Sequence, residues 1–212
     1  MDLIMQLIDF VLHIDKHLAE IIKDYGAWTY MILFLIIFCE TGLVVTPFLP
    51  GDSFLFALGA LHTSLDIKLA YILLVIAAIL GNTTNYLIGK FIGTKMLEFK
   101  KIRLVKQEHL DRTHAFFDKH GGKAIILSRF FPIIRTFAPF VAGLGKMSFG
   151  RYTLYNAVGG VSWITTFILL GYFFGNIPAV KENFTFVIIG IVVVTFLPAA
   201  ITFIKGRKSS KK

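Results

Sequence analysis

The chain has little of what a soluble enzyme is built from. Cys39 is the only cysteine in 212 residues, so no intramolecular disulfide can form. Redox chemistry has no foothold, and the thiol reads as a small core hydrophobe. Charged residues make up only 17% of the chain, and most of them cluster between the apolar runs or at the ends. There is no Ser–His–Asp arrangement, no Gly-rich phosphate loop and no phosphatase-like Arg/His cluster. His13, His17, His62, His109, His114 and His120 fall in interfacial or loop segments. His13 and His17 are four apart but no further ligand is evident, and His109 to His114 lacks the spacing of a zinc helix. No metal, cofactor or enzymatic activity is expected. The acidic start (Asp2, Asp9), with no small-residue cleavage site after an apolar run, argues against a signal peptide.

What is present is apolar. Hydrophobic residues are 56% of the chain and mean hydropathy is +0.72, both above soluble norms. Several windows reach the length needed to cross a bilayer. The fold class expected is an all-α polytopic membrane protein forming a single membrane domain over residues 1–212. Net charge is +9, unevenly placed. Residues 90–123 carry nine Lys/Arg against four acids, residues 205–212 carry five and none, and residues 1–24 carry two Lys against five acids. Positive-inside bias then puts the 90–123 segment and the basic tail 205–212 in the cytoplasm. Because these basic residues flank apolar spans, anionic lipid rather than nucleic acid is their expected partner.

Periodicity divides the chain further. Asp2, Gln6, Asp9, His13, Lys16 and Glu20 form one stripe, with Ile4, Leu7, Ile8, Val11, Ile14, Leu18 and Ile21 opposite, so residues 1–24 read as an amphipathic interfacial helix. The apolar run 27–39 stops at Glu40, short of the ~20 residues of a span. A second short run follows the Pro47, Pro50 and Gly51 breakers. Together, residues 26–62 read as a re-entrant hairpin. Residues 68–89 form a span interrupted by Asn82, Thr83, Thr84 and Asn85, whose side chains should face protein or cavity rather than lipid. A second amphipathic helix is expected at 106–120. Residues 124–145 repeat the hairpin pattern, with Arg129, Pro132, Arg135, Pro139 and Gly143. Spans follow at 152–175 and 184–204, the last kinked at Pro198. The order is helix, hairpin, span, twice over with opposite starting sides, then one more span. That is an inverted-topology repeat with three full transmembrane helices. Gly89 with Gly93, Gly159 with Gly160, and Gly171 with Gly175 read as packing seams.

Two acids in one hairpin and two guanidiniums in the other are costly at bilayer depth unless they serve a purpose. Hairpins entering from opposite faces would bring Glu40 and Asp52 toward Arg129 and Arg135 near the midplane. The Arg fork suits phosphate or carboxylate. A carboxylate beside it could exchange protons as a ligand moves. The bland alternative is a lock, in which the charges only neutralise one another. Pro47, Pro50, Gly51, Pro132, Pro139 and Gly143 are assigned to shaping the hairpins.

The motifs also carry a resemblance. Glu40-Thr41-Gly42-Leu43-Val44-Val45-Thr46-Pro47-Phe48-Leu49-Pro50-Gly51-Asp52 resembles the first signature of the DedA family, and Arg129-Phe-x-Pro132-x-x-Arg135-x-x-x-Pro139-x-x-Ala142-Gly143 resembles the second. The likeness runs nearly end to end; His13-Ile-Asp-x-His17-Leu-Ala-Glu20 and Gly171-Tyr-Phe-Phe-Gly175-x-Ile-Pro178 are especially like bacterial members. It implies a multi-pass protein of the bacterial inner membrane that translocates a lipid phosphate, undecaprenyl phosphate, in a process linked to the proton motive force. Phosphate binding would fall to Arg129 and Arg135, and proton coupling or charge pairing to Glu40 and Asp52. One departure stands out: relatives often carry Asp where this chain has Asn82, which cannot titrate. The alternatives are a proton-coupled cation antiporter, a nonselective phospholipid scramblase and a structural membrane factor. Oligomeric state is left open.

Overall fold

The computed structural model describes residues 13–43, 51–98, 122–145 and 147–209, and they are helical with short turns and no strand. In chain order the helices are α1 (Ile14–Tyr25), α2 (Trp28–Gly42), α3 (Gly51–Ala60), α4 (Ile67–Glu98), α5 (Lys123–Ser128), α6 (Pro132–Leu144), α7 (Phe149–Phe174), α8 (Pro178–Glu182) and α9 (Phe184–Ser209). The expectations for residues 1–12, Pro47, Pro50, the 106–120 helix, the end of the tail and the Pro132 side chain lie outside the described residues.

Among the described residues, two stretches are long and apolar enough to cross a membrane, Ile67–Ile92 and Phe149–Phe174. Only 33% of the most apolar window of each is buried, whereas the core helix of a soluble protein would be mostly buried. Phe91, Leu154, Phe173, Phe186 and Val194 are all at least 60% exposed, while Glu40, Asp52, Arg129 and Arg135 are at most 5% exposed. Water would invert that arrangement; hydrocarbon accommodates it. The spans expected at 68–89 and 152–175 therefore stand. The first runs on to Glu98, because residues 90–98 hold no proline and continue the helix into the basic segment. In α9 the described apolar stretch is Phe184–Thr195, and the helix continues through Pro198.

The chain folds as two compact units. The first comprises Met1–Phe34, Leu49–Leu74 and Ile164–Lys212. Within it α1 is amphipathic as its stripe predicts: Ile14 and Leu18 are buried, Lys16 and Glu20 exposed. The helix packs on α3, which also meets α9. Every residue of α3 from Gly51 to Gly59 is buried, so it has no free face. Its 10 residues rise ~15 Å, about half the hydrocarbon thickness. A Cβ added to Gly171 would lie 1.9 Å from the Phe56 carbonyl oxygen, which confirms that seam. Asp66 starts α4, its carboxylate accepting the Lys68 and Leu69 N–H groups at 3.0 and 3.2 Å.

The second unit comprises Leu35–Phe48 and Val75–Trp163. Here α2 and α4 meet backbone to backbone, since a Cβ on Gly42 would stand 3.3 Å from Gly81 Cα. Helix α6 approaches α4 as closely: a Cβ on Gly143 would fall 2.1 Å from the Tyr86 carbonyl oxygen and 2.8 Å from the Lys90 nitrogen. Gly143, expected to end a hairpin, thus lies inside α6 as a contact point. Pro139 also lies inside α6, and the helix continues past it to Leu144. Gly143→Val must displace backbone rather than a pliable side chain. It should cost about 2–3 kcal/mol, read as a lower melting temperature in detergent. Gly150→Ala, with nothing within 4 Å of the new Cβ, should cost nothing.

Candidate functional site

The site grows from a helix break. Pro132 forbids a helical conformation in the residue before it, and Phe131 is extended at φ −123° and ψ 109°. Helix α5 therefore ends, three tight backbone bonds carry the chain through Arg129, Phe130 and Phe131, and α6 restarts with proline in its first turn. Helices α5 and α6 pack on one another. The break leaves Arg129 in the turn and Arg135 in the first turns of α6, both buried.

Their surroundings differ. Arg135 Nη2 donates to Glu40 Oε1 at 2.6 Å, with both side chains at most 5% exposed. Its guanidinium carbon lies 4.6 Å from the centre of the Trp163 ring. Arg129 is fully buried and sits 5.9 Å from the same ring. It meets neutral oxygens instead of a carboxylate. Nη2 donates to the Ala78 carbonyl at 3.2 Å, to the Asn156 carbonyl at 3.4 Å and to Asn156 Oδ1. With the Asn82 amide turned so that both its ends are satisfied, Asn82 Oδ1 accepts from Arg129 Nη2 at 3.1 Å and Nε at 3.3 Å. Arg129 Nη1 has no hydrogen-bond partner among the described residues. Gly159 and Gly160 make room for the guanidinium: a Cβ on Gly160 would lie 3.4 Å from Nη2.

The buried charges described in this unit are thus Glu40, Arg129 and Arg135, one carboxylate against two guanidiniums. Burying a charge is tolerable when it is paired, and Arg135 with Glu40 meets that condition. Among the described residues Arg129 is held only by dipoles and a ring face. An arrangement with one cation in excess, and two N–H donors of Nη1 unmet, can accept an anion with at least two oxygens.

The supporting polar shell is continuous. Asn85 Nδ2 donates to the Thr136 carbonyl at 2.8 Å and to the Thr41 carbonyl at 3.4 Å, tying α6 to the C-terminal end of α2. The Tyr152 hydroxyl donates to the Asn82 carbonyl at 2.8 Å, and the Tyr152 ring stacks on Tyr86 at 4.2 Å. Asn82 and Asn85 face protein, as expected; Thr83 and Thr84 bond carbonyls of their own helix. Asp52 belongs to the first unit, buried in the first turn of α3, where a carboxylate suits the positive end of the helix dipole. Among the described residues no group of three His, Cys, Asp or Glu could hold a metal ion.

The model of the VTT domain matches residues 49–173, a stretch that includes Asp52, Asn82, Arg129, Arg135, Asn156 and Trp163. The chain belongs to this family, the DedA family. It is 51% identical to Protein DedA of Escherichia coli (strain K12) over 100% of this chain and 99% of that one. An uncharacterized membrane protein of Mycobacterium leprae (strain TN) is 42% identical over 84% of this chain and 81% of its own. Inner membrane protein YqjA of E. coli (strain K12) is 33% identical over 70% and 69%. These names place this DedA-family chain in a membrane. No solved structure matches it.

The sequence pointed to Glu40, Asp52, Arg129 and Arg135; the structure places Glu40, Arg129 and Arg135 in one unit, with Glu40 and Arg135 paired, and Asp52 in the other unit. Asn156 and Trp163 were missed. An amide in a span, and a tryptophan mid-span rather than at an interface, were the signals available.

Proposed function

We propose that the chain translocates a lipid phosphate, undecaprenyl phosphate, across the bacterial cytoplasmic membrane, acting as a transporter rather than an enzyme. The observation that carries this is the fully buried Arg129, which meets no carboxylate among the described residues, beside an Arg135 that does. The phosphate would bind Arg129 first. Competition for Arg135 would then loosen Glu40, which could take up a proton. Asp52 would serve as the second proton-coupling or charge-partner acid. The isoprenoid tail would stay in lipid while the headgroup crosses.

The accompanying topology is the inverted repeat. Short helices α2 with α3, and α5 with α6, would be the two re-entrant hairpins. Helices α4, α7 and α9 would be the three full spans, with the basic 90–123 segment and the tail in the cytoplasm. The half-bilayer length of α3 and its burial on all sides support this.

The test is inward movement of labelled undecaprenyl phosphate from the outer leaflet of proteoliposomes. Wild type should move it, and should move the diphosphate and ordinary phospholipids more slowly. Arg135→Ala should slow it by about tenfold or more. Equal rates for wild type and Arg135→Ala would refute the assignment. One observation favours a lock instead: the Glu40–Arg135 pair is short and buried. A lock predicts no lipid movement by wild type.

A further inference from the structure

We infer that the groove between α2 and α4 in the first unit binds a bilayer glycerophospholipid whose headgroup ends in a primary ammonium, as in phosphatidylethanolamine, with Asp66 as the acid that meets that ammonium. The inference goes beyond the translocation reading and does not depend on it.

The groove is apolar and open to the side. A cavity of about 460 Å³ is lined by Ala27, Trp28, Tyr30, Met31, Phe34 and Leu73, all in the first compact unit. Trp28 is 72% exposed and Met31 51% exposed, so hydrocarbon reaches the cavity laterally. From Trp28 to Phe34 the helix rises about 9 Å, roughly a third of the hydrocarbon thickness. That length takes the first stretch of one acyl chain. A chain gains little by leaving its neighbours for such a wall, since lipid tails are as apolar as the side chains. What selects one lipid over another must therefore lie at the mouth.

The mouth is polar. The α4 span starts at Ile67, so Asp66 stands where the hydrocarbon ends. The Asp66 N–H donates to the Tyr30 hydroxyl at 3.0 Å, which ties this acid to a ring that lines the groove. Tyr30 keeps its hydroxyl hydrogen to donate, and Trp28 adds an indole N–H. Both donors suit the ester or phosphate oxygens of a lipid. Asp66 Oδ1 accepts the Lys68 and Leu69 N–H groups as the cap of α4, which leaves Oδ2 of an exposed side chain for a ligand. Asp66 and Leu73 are seven residues apart and share one face of α4, which Lys68 does not.

Donors at the groove and an acid beyond them match a headgroup that carries phosphate first and a cation at its tip. A primary ammonium offers three N–H donors to the carboxylate; a trimethylammonium offers none. A glycerol headgroup brings net negative charge toward the acid. The ion pair is exposed, so the selectivity it confers is modest, about threefold.

The test is native mass spectrometry of the purified full-length chain with phosphatidylethanolamine, phosphatidylcholine and phosphatidylglycerol of identical acyl chains. Wild type should bind its first ethanolamine lipid about threefold more tightly than either of the others. Asp66→Asn should bring that ratio to about one. Asparagine caps a helix as well as aspartate does, so α4 keeps its start and only the charge is lost. Trp28→Ala, at an exposed position, should weaken the ethanolamine lipid by about threefold.

Equal binding of the three lipids by wild type would overturn the inference, as would a preference for the glycerol lipid. A preference that survives Asp66→Asn would remove the acid from the site. Wild-type binding by Trp28→Ala would move the site away from the groove. A dimer that retains no lipid would put a second copy of the chain over the groove and overturn the inference too.

Discussion

Arg129→Met should abolish lipid-phosphate movement, by about two orders of magnitude, and leave the protein folded. The pairing of these results is what matters. Methionine keeps most of the stem volume and stays over the space made by Gly159 and Gly160. It removes a charge that contacts no carboxylate among the described residues. A buried cation without a contacting counter-ion is a burden on the folded state, so its removal should raise the melting temperature or leave it unchanged. The oxygens of Asn82, Asn156 and Ala78 lose a donor, which offsets part of that gain. Transport, by contrast, loses the fork that grips the headgroup. The measurement is a melting curve beside a proteoliposome flux assay. A folded Arg129→Met protein with wild-type flux would remove Arg129 from the mechanism.

Glu40→Ala should behave in the opposite way and cost stability first. Arg135 would keep its place by Trp163 but lose the carboxylate at 2.6 Å. Stranding one partner of a buried pair costs about 3–5 kcal/mol, enough to show as poor yield and early melting. Combining Glu40→Ala with Arg135→Met removes both charges and should recover most of the loss. The double-mutant cycle should therefore give a coupling of about 3 kcal/mol or more. Flux should not return in the double variant, because Arg135 and the acid that responds to it are both gone. Recovery of stability together with flux would mean that the pair is only a lock.

How much of this was legible beforehand depends on the kind of residue. Glu40 and Arg135 announced themselves, since an ionised side chain in an apolar run must be paired or used. The helix break at Phe131 was legible for the same local reason, being set by the adjacent proline. Among the described residues, two spans lie roughly where the apolar runs put them, and α1 lies on the amphipathic stripe. Boundaries were harder: α4 runs past its apolar stretch because nothing after Gly89 stops a helix, and charge alone does not. Pro139 reads as a breaker in sequence, yet α6 continues past it with Gly143 seated against α4.

The difference between the two arginines was not legible. It needs Ala78 and Asn82 from α4, Asn156 from α7 and the turn after α5 in one place. No pattern along a single segment encodes that meeting. Asn82 looked like a departure from the family pattern; in the structure it is a neighbour of Arg129, which contacts no carboxylate among the described residues.

The chain has two indoles, and they occupy opposite worlds. Trp28 is 72% exposed, while Trp163 is sealed inside with both guanidiniums on its ring. Emission from the second reports on the local field made by those cations, and the first can be silenced by Trp28→Phe without touching the interior. The molecule thus carries its own optical gauge of what the two arginines are holding, legible in intact vesicles without any attached dye.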